Sequence, residues 1–68
     1  MTLTEMSNRM APRQKFYNTR SYNAYYFNHN NILCMLDGNG NVWCYSPSRE
    51  DLNSNDWYAT GGYYYGRT

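Results

Sequence analysis

The only continuous apolar run in the chain, Ile32-Leu33-Cys34-Met35-Leu36, leads directly into Asp37-Gly38-Asn39-Gly40. Asp-Gly and Asn-Gly supply the positive φ that a tight antiparallel turn needs, which makes this spacing the strongest short-range hairpin signal. Asn41-Val42-Trp43-Cys44-Tyr45 then reads as the returning strand, with Ile32–Leu36 as the central, buried one. A three-residue loop at 38–40 sets Asp37 opposite Asn41 and Cys34 opposite Cys44, so the two thiols can meet across the ladder.

Flanking signals place the remaining elements. Thr2-Leu3-Thr4-Glu5 fits a capping box, and Leu3, Met6 and Met10 share one helical stripe until Pro12, which predicts a short helix from about 3 to 11. Residues 15–28, KFYNTRSYNAYYFN, are rich in aromatics and β-formers and predict one strand. Tyr17, Thr19, Ser21, Asn23, Tyr25 and Phe27 would share one of its faces, and Phe16, Tyr22 and Tyr26 the other. His29-Asn30-Asn31 reads as a turn. Ser48 is a second N-cap with Asp51 three residues on, and one turn of helix should end near Asn53. Asp56 to Thr60 reads as a last short strand broken by Gly61-Gly62, and Tyr63-Tyr64-Tyr65 is either a frayed end or an arm onto a neighbouring subunit. The expected fold is α+β: a small antiparallel β-sheet, a short N-terminal helix and a one-turn helix before the last strand.

With 68 residues the chain is a single small domain, 1–68. A chain this size buries only about 60% of its unfolded surface, which leaves a lone monomer marginal and favours a homo-oligomer. The branched aliphatics are only Leu3, Ile32, Leu33, Leu36, Val42 and Leu52, so nine Tyr, two Trp and two Phe must carry the apolar load. Tyr and Trp bury ring faces while their polar tips seek partners, a composition that also suits adaptable interfaces and planar ligands. The same polar-aromatic bias has a second reading, prion-like disorder.

Charge and reactive residues exclude several classes. A net charge of +1 lacks the clustered Lys and Arg of a dedicated nucleic-acid binder, although four of the six basic residues lie between 9 and 20. No apolar run approaches the roughly 20 residues of a membrane span, and no signal peptide opens the chain, so the expectation is cytoplasmic. Cys34 and Cys44 are then read as thiols that act as small hydrophobes rather than as a disulfide. Their ten-residue separation and the single His29 fit no metal site, and no cofactor is expected. One His, two Cys and five acids, two of them in cap positions, offer little to catalysis, so the chain is read as a non-enzyme.

Binding has better support. Trp43, Tyr45 and Trp57 lie near a helix start, with Arg49 in its first turn. Rings, free amides and a guanidinium together suit a nucleotide, with Arg20 or Arg49 pairing with phosphate. The alternative is that one or both tryptophans belong to the core, that Arg49 is a solvated helix residue, and that Ser48 and Asp51 are caps.

The stretch Tyr45-Ser46-Pro47-Ser48-Arg49-Glu50-Asp51-Leu52-Asn53-Ser54-Asn55-Asp56-Trp57 resembles the closing motif of the Thoeris anti-defence protein two family. Members of that phage family end in an aromatic, Ser or Thr, Pro or Ala, Ser, two variable residues, Asp, Leu, three residues and Asp-Trp. The hairpin from Ile32 to Trp43 also fits, so the resemblance covers about half of the chain, whereas the opening segment differs from the family's Ala/Leu-rich helix. It implies a homo-oligomer, a dimer or a tetramer, in the host cytoplasm. The oligomer would sequester a cyclic nucleotide immune signal, a cyclic ADP-ribose isomer or a cyclic dinucleotide of the CBASS type, without cleaving it. Of the positions that match, the resemblance carries over Tyr45, Ser48, Asp51 and Trp57 as site candidates, with Arg49, Trp43 and Arg20 as further ligand-binding candidates from the residue-level reading. The competing expectation is a small inhibitor that docks on a host or bacterial defence protein through its Tyr-rich surface.

Overall fold

The computed structural model describes residues 1–59; Thr60, the Gly61-Gly62 break and the Tyr63–Tyr65 tail lie outside the described residues. Helix α1, Leu3–Arg9, begins at the predicted capping box: Glu5 N donates to Thr2 Oγ1 (3.2 Å) and Thr2 N donates to Glu5 Oε1 (2.7 Å). It ends at Arg9, two residues short of the expected boundary, with Met10 as an extended C-cap. Pro12 accounts for this, because its ring disfavours helical backbone at Ala11. The stripe itself is as expected, with Leu3, Met6 and Met10 all buried.

The predicted single strand over 15–28 is instead a reversal followed by a short strand. Asn18 Oδ1 accepts from the amides of Arg20 (3.0 Å) and Ser21 (3.0 Å), which turns the chain back. Phe16 then pairs antiparallel with Tyr25, and strand β1 covers only Ala24–Phe27. Antiparallel partners share a face, so Phe16, Tyr25 and Phe27 all enter the core, which corrects the assignment of Phe16 to the face opposite Tyr25 and Phe27.

Strand β2, Leu33–Leu36, is central, and β3, Val42–Cys44, is its antiparallel partner in the order β1-β2-β3. The register Cys34↔Cys44, Met35↔Trp43 and Leu36↔Val42 is the one the three-residue loop predicts. Burial of the apolar run is only partial: Leu33 and Cys34 are buried, but Ile32 is 44% exposed, because the turn before it holds it outside the ladder. Strand β3 is exposed throughout, whereas β1 at the other edge is mostly buried.

The two hairpin turns are built alike. Asp37 Oδ1 accepts from the amides of Asn39 and Asn41, both at 2.9 Å, and Gly40 takes φ +86°. Asn28 Oδ1 accepts from Asn30 (2.9 Å) and Ile32 (3.0 Å), and Asn31 takes φ 64°. In both, an Asx side chain closes the first half of the loop and the fourth residue adopts the left-handed region that Gly and Asn tolerate.

Helix α2, Arg49–Asn53, starts at the predicted Ser48–Asp51 capping box and ends where expected. The expected last strand is reduced to one bridge, Tyr58 with Tyr17. The core gathers Leu3, Met6, Met10, Phe16, Tyr25, Phe27, Leu33 and Trp57. Phe16 sits against Phe27 (5.4 Å between centroids) and Trp57 (5.7 Å), so rings fill the volume that aliphatics usually occupy. By register, Tyr25, Phe27, Leu33, Met35 and Trp43 share the core face of the sheet. Ala24, Tyr26, Cys34, Leu36, Val42 and Cys44 share the opposite face, from which the core cluster draws nothing.

Candidate functional site

Four of the other six residues singled out from the sequence, Arg20, Tyr45, Ser48 and Trp57, converge on Asp51, which is 3% exposed. The Ser48 cap fixes where α2 begins and so turns the first-turn carboxylate inward. That carboxylate accepts from the Ser48 amide (2.9 Å), from the Tyr45 hydroxyl and from Arg20 Nη1. The Asp51 carbonyl accepts from the buried Trp57 indole N–H at 3.0 Å.

Arg20 also forks onto Asp56, with Nε to Oδ2 at 2.8 Å and Nη2 to Oδ1 at 3.1 Å. Thr19 Oγ1 donates to the same carboxylate (2.9 Å), and the guanidinium carbon lies 5.4 Å from the Trp57 ring centroid. Tyr25 packs edge-on against both Tyr45 (5.3 Å) and Trp57 (5.1 Å), and its hydroxyl meets Ser21 Oγ at 3.0 Å.

The electrostatics follow from these contacts. Burial raises the cost of charging Asp51, but hydrogen bonds from Tyr45, Arg20 and Ser48 outweigh it and hold its pKa at about 2. Arg20 holds Asp56 at about 2 as well. The Asp51 carboxylate, followed by burial, pushes the Tyr45 hydroxyl up to about 12. Arg20 is raised by its two carboxylate partners. Among the described residues no buried side-chain nitrogen or oxygen lacks a partner. The arrangement therefore acts as a clamp tying the 18–21 reversal, the end of β3 and the start of α2 to one buried carboxylate.

Trp43 and Arg49 stand outside this clamp: Trp43 is 46% exposed on β3, and Arg49 is exposed at the first position of α2. Of the two tryptophans only Trp57 is core. Reasoning from sequence missed Thr19 and Asp56 as members, because Asp56 meets Thr19 and Arg20 across 37 and 36 residues, and it missed Asn18 because its local turn lies in a stretch of strong β-formers without Gly or Pro.

A second feature lies on the opposite face of the sheet. Arg13, Lys15, Tyr26, Leu36 and Val42 line a recess of about 170 Å³. Arg13 adopts φ 69° while its amide donates to Phe27 O (2.7 Å), an unusual backbone for a long side chain at the mouth of a recess. Two cations beside a half-buried ring and two aliphatics suit an anion with a planar body. The only sequence signal for this place was the concentration of basic residues between 9 and 20.

Among the described residues no helix is long and apolar enough to cross a membrane. No protein-family model, curated protein or solved structure matches the chain.

Proposed function

We infer that the chain is a non-enzymatic binding protein of a phage, acting in the host cytoplasm, that sequesters a cyclic nucleotide immune signal. The observation that carries this reading is the recess, where Arg13 and Lys15 flank Tyr26, Leu36 and Val42. Phosphate would pair with the two cations and the base would lie against Tyr26. In this reading Arg20 is not the phosphate partner, because Asp51 and Asp56 already engage its donors. The motif Tyr45 to Trp57, on which the resemblance to the Thoeris anti-defence protein two family rests, would then shape the fold that presents the recess.

The volume argues for more than one copy. About 170 Å³ falls below the roughly 300 Å³ at which small-molecule sites begin, so one protomer supplies part of a site. A second copy on the same face would complete it and cover Val42 and Cys44, both exposed in the single chain.

Isothermal titration with cyclic ADP-ribose isomers and cyclic dinucleotides tests the proposal. Binding of at least one is expected, weakened about 10- to 100-fold in Lys15→Glu, since a charge-assisted contact is worth about 1.5–3 kcal/mol. No heat with any of these ligands overturns it.

A second reading has its own observation: Tyr22 is fully exposed, and Trp43 and Tyr58 are 46% and 44% exposed. Exposed rings of this kind anchor protein interfaces. A stoichiometric host defence protein recovered with the wild type and lost with Trp43→Ala would favour direct inhibition instead.

A further inference from the structure

Cys34 and Cys44 stand directly opposite one another in β2 and β3, and both are free thiols. The ladder identifies the kind of pair. Tyr45 N donates to Leu33 O (2.9 Å) and Asp37 N donates to Asn41 O (3.0 Å), so 33/45 and 37/41 are hydrogen-bonded pairs. Antiparallel pairs alternate, which makes 34/44 a non-hydrogen-bonded pair. Such pairs bring Cα atoms to about 4.5 Å, inside the roughly 4.4–6.8 Å range a disulfide spans. Both side chains project from the face opposite the core, so closure displaces nothing from the core cluster.

The two thiols differ in access: Cys34 is buried and Cys44 exposed. Cys34 Sγ rests against Ile32 O at 3.6 Å, a weak contact whose loss costs little.

We propose that Cys34 and Cys44 form a redox-active dithiol that closes to an intramolecular disulfide by exchange with a low-molecular-weight disulfide such as oxidised glutathione. The Cys44 thiolate attacks one sulfur of the small disulfide, breaking its S–S bond and releasing one small thiolate. Cys34, having lost its proton, attacks the Cys44 sulfur of the mixed disulfide and releases the second. The two protons from the cysteines end on the two released thiolates. The protein dithiol is oxidised by two electrons and the small disulfide is reduced by two. Closure pins the β2–β3 register and fastens the exposed edge strand, independently of whether the recess binds a nucleotide.

The test treats the full chain with oxidised glutathione, quenches with an alkylating agent and weighs the intact protein. A product two hydrogens lighter, unalkylated, and yielding a Cys34–Cys44 cross-linked peptide is expected. On loop-closure entropy the closed form should melt about 20 °C higher. Cys34→Ser, with Cys34→Ala as a second variant for the buried site, should arrest as a single mixed disulfide on Cys44. A wild type that stops at glutathione adducts, or that yields only cross-linked dimers, overturns the proposal. A Cys34 variant that takes up no glutathione overturns the assignment of Cys44 as the entry thiol.

Discussion

Asp51 combines the roles of helix cap, ion-pair partner and anchor for Tyr45, and its substitution should cost accordingly. Asp51→Ala is expected to destabilise the fold by about 3 kcal/mol, below the top of the range for broken buried pairs because Arg20 keeps Asp56 and some solvent. Urea unfolding followed by Trp57 fluorescence measures this. The same contacts set the pH limits. Asp51 and Asp56 are depressed from an ordinary 3.8 to about 2, so their contribution is complete above pH 3.8 and is lost as pH falls through 2. Tyr45 is raised from 10.0 to about 12, so its contribution is complete below pH 10 and is lost as pH rises through 12. Stability measured against pH should therefore stay level with respect to these three groups between those limits and fall at both ends; Asp51→Asn should shrink both falls.

At the scale of elements, the abundant asparagines have a local purpose: Asn18 and Asn28, with Asp37, accept from backbone amides at the three reversals that bring the strands together. This is why a chain with few aliphatics can hold its strands in register, since each turn satisfies its own amides. The glycines of the second hairpin separate backbone from packing effects. Nothing lies within 4 Å of a Cβ built at Gly38 or Gly40, but only Gly40 has positive φ. Gly40→Ala should cost about 1 kcal/mol or more from the left-handed backbone, while Gly38→Ala should change stability by a few tenths at most. Denaturant midpoints of the two variants, at unchanged slope, check this. Both helix starts were legible for the same reason: a capping box is local chemistry, complete within four residues.

The whole molecule has an uneven sheet. One face packs against α1 and Trp57, while the other presents Tyr26, Leu36, Val42 and Cys44 beside two cations. If copies associate through that face, Val42→Lys should convert the oligomer to a monomer in native mass spectrometry with unchanged far-UV circular dichroism. The Tm of the wild type, but not of the variant, should rise with protein concentration. An oligomer unaffected by Val42→Lys would place the contact elsewhere, with the open edge of β3 as the next surface to test.

The sequence by itself determined the elements whose signals are short in range. The 38–40 loop and the Cys34–Cys44 register follow from Asp37 and Gly40, α1 from Thr2 and Glu5, and α2 from Ser48 and Asp51. The reversal at Asn18 stayed hidden, because Asn-Thr-Arg-Ser contains neither Gly nor Pro and lies among strong β-formers. Only the tertiary structure decided what the singled-out residues do. Arg20 meets Asp51 across 31 positions and Asp56 across 36, and Arg13 and Val42 line one recess only because three strands align. Local conformation depends on neighbours within a turn or two, whereas a guanidinium takes whichever carboxylates folding brings to it. That choice turned the motif from Tyr45 to Trp57 into an internal clamp and left the cations at 13 and 15 to line the recess on the other face.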